Sequence, residues 1–161
     1  MLEKKRIIIT GAGSGIGRAT SKLAASYGAH VICVDLTDGV EETVAEVTQA
    51  GGTAIAVQAD VSDETSVISF VEKCVSEFGG IDGIYANAGV SGGGKSVTEL
   101  TVEDWQRTLG VNTIGVFLAV KHTVPHFVKQ GGGAIVCTAS VAALRANAGG
   151  VDYSASKAGV V

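Results

Sequence analysis

The chain has 161 residues, 46% hydrophobic and 17% charged, with a formal net charge of -4. That length suits one domain with a packed core, and the composition argues against a disordered chain, which would be poor in apolar residues. Mild acidity, with Lys4-Lys5-Arg6 as the densest basic stretch, argues against nucleic acid, and no apolar run approaches a membrane span.

Ile7-Ile8-Ile9 predicts a strand buried on both faces, ending at a glycine-rich turn. Behind the turn, Ile16, Ala19, Leu23, Ala24 and Tyr27 recur at helical spacing, which predicts a helix with these residues inward, closed by Gly28. Val31 to Val34 predicts a second strand. Val40, Val44 and Val47 mark a second helix with Glu41, Glu42 and Glu46 outward, and Asp38 suits its cap. Thr53 to Val57 predicts a third strand. Val67, Phe70, Val71, Cys74, Val75 and Phe78 then predict a third helix, which Ser62 or Asp63 can cap. Ile81 to Tyr85 predicts a fourth strand, followed by a loose loop through Gly92-Gly93-Gly94. Thr101, with Asp104 three residues on, predicts the cap of a long helix running to about Lys129 and bent at Pro125. Ala134 to Thr138 predicts a fifth strand, and a last helix opens near Asp152.

Alternating strands and helices with right-handed crossovers predict an α/β fold: a doubly wound parallel sheet in three αβα layers, ordered 3-2-1-4-5. Residues 1–161 read as a single domain. Cys33, Cys74 and Cys137 sit in apolar settings with no CxxC pair, so buried, inert thiols are expected. His122 and His126 lie four apart but lack a third ligand nearby, so no metal site is expected. The N-terminus lacks the apolar stretch of a secretory signal, and a cytoplasmic protein is expected.

Four features carry chemistry. In Thr10-Gly11-Ala12-Gly13-Ser14-Gly15-Ile16-Gly17, Gly11 permits a tight turn, while Gly15 and Gly17 permit close approach to a pyrophosphate and of helix to sheet. The turn follows a strand and opens a helix, the context such a motif needs. Asp35 ends the second strand and can accept both ribose hydroxyls of NAD while repelling the extra phosphate of NADP. Neither Leu36 nor Ser14 is basic, which points to NAD as the cofactor. In Tyr153-Ser154-Ala155-Ser156-Lys157, a phenol and an ammonium share one helix face, and a neighbouring cation favours the phenolate. Ser140, at the end of the fifth strand, faces the ligand crevice, where its hydroxyl could hold a substrate oxygen.

Taken together, Thr10 to Gly17, Asp60-Val61, Asn87-Ala88-Gly89, Asn112, Ser140, and Tyr153 with Lys157 resemble the short-chain dehydrogenase/reductase family of the single-domain Rossmann type, from Arg6 to the end of the chain. The resemblance implies a NAD-dependent oxidoreductase that moves a hydride between nicotinamide and a secondary alcohol or ketone. It implies Tyr153 as general acid/base, and Lys157 as the residue that holds the nicotinamide ribose and lowers the tyrosine pKa. Ser140 would orient the substrate oxygen, and Asn112 would bind a water that extends a proton relay. Cofactor contacts would come from Gly11, Ser14, Gly15, Ile16, Gly17, Asp35, Leu36, Asp60, Val61, Asn87, Ala88 and Gly89, as well as Tyr153 and Lys157.

The resemblance also implies a homodimer or homotetramer through the long helix and the YxxxK helix, a small-molecule substrate, and neither nucleic acid nor membrane as partner. A ketoacyl-thioester reductase is the alternative within the family. Members of the family continue past the position of Val161, with further strands and a mobile substrate loop. The NAD-binding domain is therefore expected to be incomplete at its C-terminus, with the fifth strand as a bare edge. A non-catalytic nucleotide-binding fragment is the other reading.

Overall fold

A computed structural model describes residues 1–161. Five strands, β1 (Arg6–Thr10), β2 (His30–Asp35), β3 (Thr53–Gln58), β4 (Gly83–Ala86) and β5 (Ala134–Cys137), form one sheet in the order β3-β2-β1-β4-β5. All four pairings are parallel. The register sets Ile8 beside Ile32 and Ile84, and Ile9 beside Cys33 and Tyr85. Because side chains alternate along a strand, these two rows face opposite layers.

On one face, Ile9, Val31 and Cys33 pack with α1 (Gly15–Ser26) and α2 (Gly39–Gln49) through Ala24, Ala25, Val40 and Val47. On the other, Ile8, Ile32 and Ile84 pack with α3 (Glu64–Phe78) and α5 (Gly115–Gln130) through Val67, Phe70, Leu118 and Phe127. Phe70 is fully buried, a contribution of roughly 1.5–3 kcal/mol. Burial pushes the Cys33 and Cys74 thiols up to about 11 and about 12, so both stay protonated and unreactive at neutral pH. No helix is long and apolar enough to cross a membrane.

Four sequence expectations are corrected. In α1, Ile16, Leu23 and Tyr27 are 64%, 56% and 46% exposed, and the inward residues are Gly17, Ser21, Ala24 and Ala25. A Cβ on Gly17 would run into the Gly11 carbonyl, so the helix lies too close to the turn for large side chains beneath it. The long helix is also not one α-helix bent at Pro125. It comprises α4 (Val102–Leu109), a π-type turn at Gly110–Ile114, and α5, which continues through Pro125. The Thr101–Asp104 capping box at its start is present as expected. Asp63 caps α3 by accepting from the Ser66 N–H, whereas Asp38 makes no side-chain cap on α2. β4 begins two residues later than expected, at Gly83, directly after Asp82, whose carboxylate is held by Arg6.

That ion pair anchors the amino end of the sheet. Arg6 donates to Asp82 from Nε at 2.7 Å, from Nη2 at 3.1 Å and from its own backbone N–H at 2.9 Å. The Arg6 guanidinium draws the Asp82 carboxyl down to about 2, below its ordinary 3.8. The folded value lies under the unfolded one, so the stabilisation is complete above about pH 4 and is lost as pH falls toward 2. Asp82→Asn should therefore unfold at a lower temperature than the wild type at pH 6 and lose less between pH 4 and 2. The pair is partly exposed, which limits the difference to about 1 kcal/mol, or roughly 2–4 °C in Tm. Thermal melts across that range would test it, and parallel pH profiles for the two proteins would contradict it.

Candidate active site

The carboxyl ends of β1, β2 and β4 meet the first turn of α1. Gly11 and Gly15 take φ of +68° and +49°, values that L side chains rarely adopt. A Cβ on Gly13 would lie 2.7 Å from the Asp35 Cγ, so glycine is required there by contact. Instead, the Gly13 N–H donates to Asp35 Oδ2 at 2.8 Å. Asp35 Oδ1 accepts from the Thr37 N–H at 2.9 Å and its hydroxyl at 2.8 Å. The carboxylate at the end of β2 is thus fixed in orientation, with Oδ1 satisfied by Thr37 and one acceptor site left on Oδ2.

These residues border a cleft of about 410 Å³. Of the predicted cofactor residues, Gly11, Ser14, Gly15, Ile16, Asp35, Leu36, Asp60, Val61, Asn87, Ala88 and Gly89 line it. Gly17 lies beneath the turn, while Tyr153 and Lys157 stand outside this cleft. The cleft fits a dinucleotide: a Cβ on Gly15 would meet nothing within 4 Å, so the helix start opens into free space, and Asp35 Oδ2 supplies an acceptor. A larger groove of about 910 Å³ opens beside Leu23, Tyr27, Val47 and Gly52, at the opposite end of the sheet and away from the glycine-rich turn.

The floor of the cleft is hydrogen-bonded across strands. Thr10 Oγ1 accepts from the Asn87 and Ala88 N–H groups, both at 3.0 Å, and Asn87 Nδ2 donates to the Thr10 carbonyl at 3.0 Å. Asn112, in the π-type turn and fully buried, clamps the next stretch. Its Oδ1 accepts from the Val90 N–H at 2.8 Å, and its Nδ2 donates to the Val90 carbonyl and to Ser156 Oγ, both at 2.9 Å. Both amide hydrogens are thereby committed, so the side chain can hold a water only through the second lone pair of Oδ1.

Tyr153 and Lys157 lie on α6 (Val151–Ala158). Lys157 is 3% exposed, and Nζ donates to the Thr138 carbonyl at 2.7 Å and sits 5.9 Å from the centre of the Tyr153 ring. Burial lowers the Lys157 pKa below its ordinary value. The ring of Tyr153 rests over Gly149, where a Cβ would approach Cδ1 to 2.9 Å. Ser140 lies three residues past β5 rather than at its end, and its Oγ accepts from the Ala142 N–H at 3.2 Å. Thr10, Thr37, Thr138 and Ser156 all hold site residues, and sequence reasoning assigned none of them that work. Thr10, Thr138 and Ser156 have partners distant in the chain, while Thr37 holds Asp35 only two residues away. Thr10, directly before Gly11, and Thr37, two residues after Asp35, carried local cues. His122 meets Glu64 at 2.8 Å on the surface.

A family model described as short chain dehydrogenase matches residues 5–161. The chain is 39% identical over 153 residues to a cis-4-hydroxycyclohexanecarboxylate dehydrogenase from Sinomonas cyclohexanicum, covering 95% of this chain and 61% of that protein. It is 38% identical over 161 residues to a 3-oxoacyl-[acyl-carrier-protein] reductase from Thermotoga maritima, covering 99% of this chain and 65% of that one. A solved short chain dehydrogenase/reductase from Burkholderia phymatum in complex with NAD superimposes with a TM-score of 0.94 at 36% identity, over 99% of this chain and 57% of the other. The chain thus spans less than two thirds of the length of these relatives.

Proposed function

The chain belongs to the short-chain dehydrogenase family, and from that membership we propose that it carries the cofactor cleft and proton-transfer groups of a NAD-dependent oxidoreductase acting on a secondary alcohol or ketone. The observation that carries the reading is Lys157, a buried ammonium fixed by the Thr138 carbonyl beside the Tyr153 ring. A buried cation next to a phenol favours the phenolate, which suits Tyr153 to exchange a proton with a substrate oxygen.

A bound nicotinamide supplies the hydride donor or acceptor. In ketone reduction, Tyr153 gives its hydroxyl proton to the carbonyl oxygen as negative charge develops there, and Lys157 stabilises the phenolate left behind. In alcohol oxidation the phenolate takes the proton back. The Ser140 hydroxyl donates to the same substrate oxygen and orients it. Asp35 would hold the adenosine ribose through Oδ2, the start of α1 would meet the pyrophosphate, and Asn112 keeps the Val90 stretch in place beneath the site.

A cyclic secondary alcohol as substrate draws support from the Sinomonas relative. The alternative, reduction of a ketoacyl thioester, draws support from the Thermotoga relative. NADH consumption with a panel of cyclic ketones and with acetoacetyl thioesters tests both. We expect turnover with a cyclic ketone. Turnover with thioesters alone would select the alternative, and no turnover with any carbonyl would overturn the enzymatic reading.

We further propose that the protein works in the cytoplasm as a homodimer or homotetramer. From Ile114, at the end of the π-type turn, along α5 through Phe117, Val124 and Val128, these side chains are 49%, 58%, 37% and 76% exposed, an apolar stripe suited to a second copy. Light scattering at micromolar concentration should give at least twice the monomer mass, and a monomer would overturn this part.

A further inference from the structure

One buried acid has no part in the reaction derived above. Asp152, one residue before Tyr153, is 1% exposed and has no cationic partner. Its Oδ2 accepts from Thr108 Oγ1 on α4 at 2.8 Å, and Thr108 is itself 2% exposed. Gly92 covers the carboxylate from the loop after β4; a side chain there would collide with both oxygens. One helical turn further along, Asn112 Nδ2 donates to Ser156 Oγ. Both pairs are separated by 44 positions, so they form two rungs at the same offset across a dry helix–helix contact. Residues four apart stack on one helix face, so the two rungs together fix both the rotation and the axial position of α6.

We propose that the Thr108–Asp152 rung is a positioning device for the proposed proton donor: it sets the first turn of α6, and with it the place of the Tyr153 hydroxyl. The inference rests on the function proposed for Tyr153. The second rung serves the turn that carries Lys157, because the Thr113 hydroxyl donates to the Ser156 carbonyl at 2.8 Å. Ser156 also donates to the Tyr153 carbonyl at 2.7 Å, which holds that backbone and leaves the Asp152 end of the turn, and with it the Tyr153 ring, to the first rung. Loss of the first rung therefore shifts the ring while Lys157, held by Thr138 as well, and the cleft stay in place. A misplacement near 1 Å is enough to lower a rate about 100-fold.

The test uses Thr108→Val, Asp152→Ala and Asp152→Asn in the whole chain. Asparagine keeps an oxygen acceptor for the Thr108 hydroxyl, and valine keeps the shape of threonine without the donor. The chain has three tyrosines, so a 13C-tyrosine NMR spectrum resolves Tyr153 once Tyr153→Phe assigns it. Thr108→Val and Asp152→Ala should move the Tyr153 resonance and lower kcat by about 10–100-fold, with NADH affinity within about twofold of wild type. Asp152→Asn should restore both readouts, and the Thr108→Val/Asp152→Ala double variant should be no worse than the poorer single one. The proposal is overturned if the resonance stays put in both single variants. It is equally overturned if NADH affinity falls with kcat, or if Asp152→Asn is as damaging as Asp152→Ala. Should Asp152→Ala fail to fold, Thr108→Val against Thr108→Ser gives the same comparison. If the wild type turns over no carbonyl, the enzymatic reading fails while the resonance still decides whether the rung places Tyr153.

Discussion

Tyr153→Phe should abolish most turnover while leaving NADH binding within about twofold of wild type. The substitution removes one oxygen and keeps the ring, which rests over Gly149 and beside the Lys157 ammonium. Packing around α6 is therefore preserved, and the fall can be read as loss of a proton carrier. General acid–base groups contribute about 10²–10⁴-fold, so the loss should appear in kcat at that scale. Calorimetry with NADH and steady-state rates with the best ketone make the comparison. Turnover near wild type would reject Tyr153 as the acid/base.

The second large effect concerns cofactor choice. Asp35 places a fixed carboxylate where the adenosine ribose is expected, held by the Gly13 N–H and by Thr37. An added phosphate would sit against that charge, so NADH should bind more tightly than NADPH, on the order of 10–100-fold. Leu36 lines the same cleft and is 63% exposed, which makes it a place from which an arginine can reach. Asp35→Ala combined with Leu36→Arg should narrow or invert the preference. Asp35→Ala alone should also weaken NADH, because the Gly13 turn loses its anchor. Tighter binding of NADPH by the unmodified protein would contradict the reading of Asp35.

Where the sequence carried a strict period, it was legible. Ile7-Ile8-Ile9, the stripe from Val67 to Phe78 and the capping box at Thr101 all correspond to the elements observed. Alternation and crossover handedness gave a parallel sheet with helices on both faces, and the strand order came from the doubly wound fold class. The inward face of α1 was not legible: close approach of Gly17 to Gly11 turns small residues inward, and hydropathy favours the large ones. Nor was the π-type turn: Gly110-Val111-Asn112-Thr113-Ile114 is poor in helix formers, but Val111 and Ile114 keep a helical apolar spacing and Pro125 draws attention instead. The glycine-rich turn and Asp35 were found because their spacing is local. The groups that hold site residues, such as Thr138 for Lys157 and Thr108 for Asp152, depend on partners brought together only by the fold.

The strand order has a consequence for synthesis. β1 emerges first yet lies inside the sheet, with β2 on one side and β4 on the other. Its β4 side stays open until Asp82 appears, 76 positions after Arg6. At a translation rate of roughly 5–20 residues per second, that interval lasts about 4–15 s. For that time, a strand with three successive isoleucines presents unpaired peptide groups on the nascent chain. The segment from β1 to β3 can form its own αβ layer meanwhile, but the row of Ile8 and Ile32 has no α3 or α5 to cover it. Nascent chains stalled before β4 should therefore be cut readily by protease within Ile7–Ile9, and chains stalled after α5 should resist.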